Sequence, residues 1–265
     1  MKVFAITLAT VLLISSVPVF MVFGLSSAIV AIWELNLPWS SLIQVAFGSV
    51  TKHVLVAVPL FIFAGMAMLR GGAASRLVHF AVTLVGHWPG GLGIAMILAM
   101  GFFAAFCGSI LAAITAIGTI MIPKMVEQGY PKPFVIVLAA SAAFLEALIP
   151  PSNAAILFSA LTDVPVSKTF AAGILPGLVL MGLLSLVVIW KCRQLKVSER
   201  ASSKDKLKAF WEALPGLFTP IIILGGIYSG LFTPSESAAV AGLWGIVIGT
   251  VIYKELTLSG VVDAL

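Results

Sequence analysis

Leu145-Glu146-Ala147-Leu148-Ile149-Pro150-Pro151-Ser152-Asn153 lies inside an apolar stretch, 134–162, that is long enough to cross a bilayer. A helix interior tolerates neither two adjacent prolines nor a carboxylate without compensation. Proline removes a backbone donor and clashes with the preceding turn, at a cost of about 3 kcal/mol. In hydrocarbon, the carbonyls freed in this way are admissible only where protein or a water-filled cavity satisfies them. A helix broken at membrane depth, with Ser152 and Asn153 at the break and Glu146 one turn before it, has the backbone pattern of an ion or solute site. The stretch predicts two half-helices, 134–149 and 154–162, and points to transport.

The rest of the chain agrees with a membrane setting. Apolar residues make up 61% and charged residues 9%, against roughly 25% charged in an ordinary soluble domain. Uncharged runs cover 3–33, 35–51, 53–69, 77–123, 169–190, 213–235 and 237–253. A span needs about 20 residues. The run 77–123 is too long for one crossing, because at roughly 1.5 Å per residue it would be about 70 Å of helix. A soluble helical core is set aside on these grounds, and an all-α polytopic membrane protein is expected.

Net charge is +5, and it is concentrated. Lys191, Arg193, Lys196, Arg200, Lys204, Lys206 and Lys208 hold nearly half of the 15 basic residues, offset locally by Glu199 and Asp205. With no soluble domain to carry a basic patch, nucleic acid is not the expected partner; a cytoplasmic loop over 191–209 is. Cys107 lies in an apolar run and Cys192 borders the basic loop, which suggests neither a disulfide nor a metal site. His79 and His87 have no ligand-type neighbour in sequence. No phosphate-binding Gly-rich loop and no acid–base or nucleophile pairing stands out, so the chain is not expected to be an enzyme.

Residues 3–23 read as one membrane helix bent at Pro18, with 24–31 either continuing it or turning along the interface. Trp33, Glu34, Trp39 and Ser40-Ser41 read as interfacial. A span at 53–69 is closed by Gly71-Gly72, and 74–88, with Arg76, His79 and His87, reads as tilted or interfacial. From Pro89-Gly90-Gly91 to Pro123 the chain must leave and return to one side if Arg76 and Lys124 share it. Two full crossings satisfy this, and so does a re-entrant hairpin with its tip at Gly108-Ser109. The short second arm, 110–123, and the freedom of Gly108 favour the hairpin. After the span 169–190 and the basic loop, 210–231 runs outward and 237–253 returns. Ser235 is the expected cap of that last helix, with Glu236 in its first turn.

Five ordered motifs carry a family resemblance: Pro59-Leu60-Phe61-Ile62-Phe63-Ala64-Gly65-Met66, Ala116-Ile117-Gly118-Thr119-Ile120-Met121-Ile122-Pro123, Ile149-Pro150-Pro151-Ser152, Ala172-Gly173-Ile174-Leu175-Pro176-Gly177 and Thr233-Pro234-Ser235-Glu236-Ser237-Ala238-Ala239-Val240. Together they resemble the large membrane subunit of tripartite ATP-independent periplasmic (TRAP) transporters. The resemblance implies a secondary transporter of the inner membrane, with sodium as the coupling ion and no other cofactor. It takes up organic acids such as dicarboxylates or sugar acids. A periplasmic substrate-binding protein and a small membrane subunit are the implied partners, within the lipid bilayer. It also implies an inverted-repeat elevator fold. Residues 1–88 are then scaffold-type helices and an interfacial segment, and 89–190 is half of a transport domain made of hairpin 89–123, broken helix 134–162 and span 169–190. Residues 191–209 are the basic loop and 210–265 a connecting helix and the start of a second repeat. Family members run on well past the position of Leu265, so the second repeat is expected to be largely missing from these 265 residues. A non-transporting fragment or scaffold subunit is the competing reading, as is a carboxylate carrier that needs no binding protein. The tip Gly108-Ser109-Ile110-Leu111-Ala112-Ala113 also has fewer hydroxyls than the family commonly shows there.

The candidate site therefore comprises Gly108, Ser109, Glu146, Pro150, Pro151, Ser152 and Asn153. Unwound carbonyls and hydroxyls supply the oxygen ligands that sodium needs, and helix ends add partial charge. A kink that lets helices pack closely is the alternative. For Glu146 the options are a sodium ligand, a proton carrier, a partner for a cation, or a hydrogen bond that stabilises the break. Asn153 either orients substrate or donates to a neighbouring helix. Thr233 to Glu236 reads as a helix start rather than a binding site.

Overall fold

Glycine, proline or a short polar side chain stands at most of the breaks between helices, and every regular element among the described residues is helical. The computed structural model describes residues 2–193, 200–257 and 260–261; Lys196 and Glu199 of the basic run lie outside them. Two compact units are present, Met1–Lys52 and His53–Leu265.

The first unit contains α1 (Lys2–Ile14), α2 (Val19–Trp33) and α3 (Trp39–Val50), with α1 and α2 packed on each other. The single helix expected over 3–23 is thus corrected to two. Ser16 takes a φ of +58° and Pro18 is extended. Proline disfavours helical geometry in the residue before it but suits the start of a helix, so Pro18 opens α2 instead of bending α1. Residues 24–31 continue α2. At 13 and 15 residues, each helix is roughly 20 Å long, short of the ~30 Å hydrocarbon core.

In the second unit, a 3₁₀ turn at His53–Val56 leads into α4 (Ala57–Arg70), and Gly72, at φ +80°, turns the chain into α5 (Ala73–Val85). This segment is a helix as expected, with Leu77, Val78 and Ala81 buried against the helices over 91–107 and 203–228. Next come α6 (Gly91–Cys107), α7 (Ile110–Ala113), a π turn at Ile114–Gly118 and α8 (Thr119–Glu127), the last three packing back on α6 as a hairpin. The second arm reaches Glu127, beyond the expected end at Pro123. Proline at 123 deprives the Thr119 carbonyl of its helical donor, and the π turn lies directly ahead of it. Thr119 and Thr115 hydroxyls cover carbonyls there, at 2.6 Å to Thr115 and 2.9 Å to Leu111 and Ala112.

The remaining helices are α9 (Lys132–Ala143), α10 (Leu145–Leu148), α11 (Asn153–Thr162), α12 (Val166–Cys192), α13 (Ser203–Tyr228) and α14 (Pro234–Val247) with a closing π turn. Among the described residues, five helical stretches are long and apolar enough to cross a membrane: 53–70, 110–127, 166–192, 203–228 and 234–252. The pair 132–148 and 153–162, bent by 42°, makes a sixth candidate. At the start of α14, Thr233 is the cap, accepting from the Glu236 N–H while the Glu236 carboxylate accepts from the Thr233 N–H. Ser235, the expected cap, instead donates to the His53 carbonyl at 2.8 Å. Pro234 fixes the first helical position, which places the cap at Thr233, two residues before the expected one.

Helices α4 and α14 run side by side in the same direction. Ser235 meets His53 at one end and Gly249 meets Gly71 at the other, with Gly245 against Ala64 and Met68 between them. Small residues let the two backbones approach closely. One end of the unit gathers Arg70, Arg76, Lys124, Lys132, Lys191, Arg193 and Lys254. There Gly90 abuts Val188 and Cys192, Arg76 pairs with Glu255 at 2.8 Å and stacks on Tyr253, and the Tyr253 hydroxyl donates to the Glu212 carbonyl at 2.7 Å. Asp163, Lys168 and Glu236 mark the opposite end, where Ser159 and Thr169 join α11 to α12 at 2.8 Å.

Candidate functional site between a hairpin tip and a helix break

At the hairpin tip Gly108 sits at φ +64°, a left-handed conformation that costs a side-chain-bearing residue roughly 1–2 kcal/mol. Space forbids a side chain too. A Cβ there would stand 2.6 Å from the Pro151 carbonyl oxygen and 3.3 Å from the Asn153 nitrogen. The tip therefore rests directly on the helix break, 43 positions later in sequence by residue number. Ser109 is extended and opens the second arm. Behind the tip, Cys107 is fully buried against α4, where any side chain on Gly65 would run into its Sγ.

The break itself is built from three devices. Ile149 and Ser152 are both extended, flanking Pro150-Pro151, whose peptide is cis. The Ser152 hydroxyl spans the gap: it donates to the Ala147 carbonyl at 2.8 Å and accepts from the Ala155 N–H at 3.3 Å. One side chain so covers an orphan carbonyl of α10 and an orphan donor of α11. On the far side, Gly173 of α12 lies against the Leu148 carbonyl, and Gly177 against Ile149. A side chain at either position would push α12 off the break.

Four helix ends meet here: the C-termini of α6 and α10, and the N-termini of the second hairpin arm and α11. Glu146 is completely buried. Its carboxyl lies beside the backbone N–H groups of Ser109 and Gly108 and within electrostatic range of Cys107. Neither oxygen, however, makes a hydrogen bond of full geometry. The Asn153 side-chain oxygen is likewise buried and without a donor. A buried carboxyl whose oxygens lack a hydrogen bond of full geometry is costly, and a second buried oxygen without a donor, on the neutral amide of Asn153, stands at the same junction.

The structure thus brings Gly108, Ser109, Glu146, Pro151, Ser152 and Asn153 to one junction, with Pro150 shaping its backbone. Ser152 is occupied as cap and bridge. The buried side-chain atoms left without a hydrogen bond at the junction are all oxygen: Asn153 Oδ1 and the two of Glu146. Oxygen-only coordination suits a hard cation. Gly65, Cys107, Gly173 and Gly177 frame the junction and were not anticipated as part of it. The spacing Gly173-x-x-x-Gly177 was the visible signal for the last two.

A family model described as the DctM component of the tripartite ATP-independent periplasmic transporter matches residues 6–265. The C4-dicarboxylate TRAP transporter large permease protein DctM of Vibrio cholerae serotype O1 is 40% identical over 249 residues, covering 92% of this chain and 55% of the relative. The protein of the same description from Pseudomonas aeruginosa is 42% identical over 216 residues, 80% of this chain and 50% of the relative. The sialic acid TRAP transporter large permease protein SiaM of Vibrio cholerae is 35% identical over 224 residues, 84% of this chain and 52% of the relative. The chain spans about half the length of the curated relatives it matches. With an all-helical, multi-span architecture and a family match over nearly its whole length, this chain belongs to the DctM family of TRAP transporter large permeases.

Proposed function

We propose that this chain serves in a secondary active permease of the inner membrane, in which sodium binds between the hairpin tip and the helix break. The sodium gradient drives inward movement of an organic acid, a dicarboxylate or a sugar acid. A periplasmic binding protein hands the acid over, and a small membrane subunit completes the complex. The hairpin and broken helix belong to a domain that shifts in an elevator motion against the other helices.

The observation that carries this reading is the seat of Gly108 on the Pro151 carbonyl beside two buried, unpartnered groups, Asn153 Oδ1 and the Glu146 carboxyl. A monovalent cation would satisfy both without demanding a fixed geometry. Support for the substrate class comes from relatives whose names specify C4-dicarboxylates, sialic acid and 2,3-diketo-L-gulonate. Family membership supports the two partners.

The test is uptake into proteoliposomes by the permease with its small subunit and binding protein, under imposed sodium gradients. Glu146→Gln preserves shape and removes charge. It is expected to raise the sodium concentration for half-maximal uptake by about tenfold, the equivalent of ~1.4 kcal/mol. Uptake by the complete complex that ignores the sodium gradient would refute the coupling. Unchanged sodium dependence in Glu146→Gln would remove that residue from the ion site.

A further inference from the structure

At the basic end of the second unit, a groove of about 570 Å³ opens between the start of α9 and the end of α12. Its walls include Pro131, Pro133, Phe134, Val137 and Lys191. Two prolines offer no N–H, so this floor binds water poorly. Lys191 Nζ stands 5.6 Å from the centroid of the Phe134 ring, within cation–π range. Lys132 and Arg193 adjoin wall residues in the chain, and among the described residues no carboxylate lines the groove. Among the described residues, Lys132, Lys191 and Arg193 form no ion pair. The cavity beside Arg76 differs, because Glu212 and Glu255 line it and balance its charge.

Depth decides what such a groove would hold. Trp190, 73% exposed, sits one residue before Lys191 on a helix long enough to span, and tryptophan favours the headgroup level. The groove then lies where acyl chains give way to phosphates, on the side to which the basic residues assign the cytoplasm. Basic pockets between membrane helices on that side suit anionic headgroups. The N-terminus of α9 adds further positive partial charge at its mouth.

We infer that this groove binds an anionic phospholipid of the cytoplasmic leaflet, with its phosphate between Lys132 and Lys191 and an acyl chain along Phe134 and Val137. The inference is independent of the sodium site. It is tested by reconstituting the chain in mixed phosphatidylglycerol and phosphatidylcholine, delipidating gently, and counting retained lipid by native mass spectrometry. Phosphatidylglycerol is expected to be retained over phosphatidylcholine. The double variant Lys132→Gln/Lys191→Gln should lower its retention by roughly tenfold or more. Lys204→Gln/Lys208→Gln, the same charge change on α13, should leave it unchanged, and Val137→Trp, which fills the groove without altering charge, should lower it. Equal retention of the two lipids, equal loss in both lysine pairs, or full retention in Val137→Trp would each overturn the assignment. So would displacement by inorganic phosphate, which marks a free-anion site, or by the small membrane subunit, which marks a protein interface.

Discussion

Gly108, Gly173 and Ser152 show how single residues make the junction. The first two act through the side chain they lack. Gly108→Ala adds a left-handed conformational cost to an overlap with the Pro151 carbonyl, and Gly173→Ala drives a methyl into the Leu148 carbonyl. Each is expected to destabilise the fold by about 1–3 kcal/mol, read as a lower midpoint of thermal unfolding in detergent. Gly182→Ala, with open space around it, should not lower that midpoint. Ser152→Ala removes a cap and a bridge together and should cost about 1–2 kcal/mol. Among these residues, Gly108, Ser152 and Asn153 were legible because each stands where a local rule is broken. Gly173 was legible only as one of a pair of small residues spaced for close packing with Gly177; the Leu148 carbonyl it must clear belongs to another helix and was not.

At the level of elements, the prolines divide instructively. Pro150-Pro151 breaks its helix as expected, because the flanking Ser152 supplies the cap that a new helix needs. Pro18 starts a helix that it was expected to bend, and Pro123 lies inside a helix that continues past it to Glu127. Proline marks a discontinuity in sequence, but the neighbours decide its form. The close pairing of α4 with α14 was not legible either, although the glycines that permit it were plain. Gly249→Leu should wedge this pair apart, since even a Cβ would lie 2.7 Å from Leu256 and 3.0 Å from Gly71. The expected result is a loss of about 1–3 kcal/mol, seen as earlier loss of the monodisperse peak in size exclusion after stepwise heating. An unchanged profile would show that the contact carries little stability.

In the second unit the basic residues beside Glu255 and Cys192 gather at one end. The first unit was less legible because the uniformly apolar run 3–33 contains no charge to punctuate it. Orientation follows from the positive-inside rule and is directly testable, since Cys107 and Cys192 are both buried. In intact cells a membrane-impermeant maleimide should label Lys168→Cys from the periplasm and reach Lys206→Cys only after permeabilisation. The reverse pattern would invert the topology. The apolar exterior of α12, exposed at Leu175, Leu178 and Leu186, is what lipid contact requires of a spanning helix and signals no further site.

The most direct test of the cation site is the thermal unfolding midpoint of the purified chain in sodium chloride against potassium chloride of equal strength. A ligand that binds the native state alone raises the midpoint through linkage. Sodium is expected to raise it for the native chain, and the increment should shrink sharply in Asn153→Ala, which removes a free oxygen at the break. Identical midpoints in the two salts, or an increment that survives Asn153→Ala undiminished, would contradict a sodium site between Gly108 and Asn153.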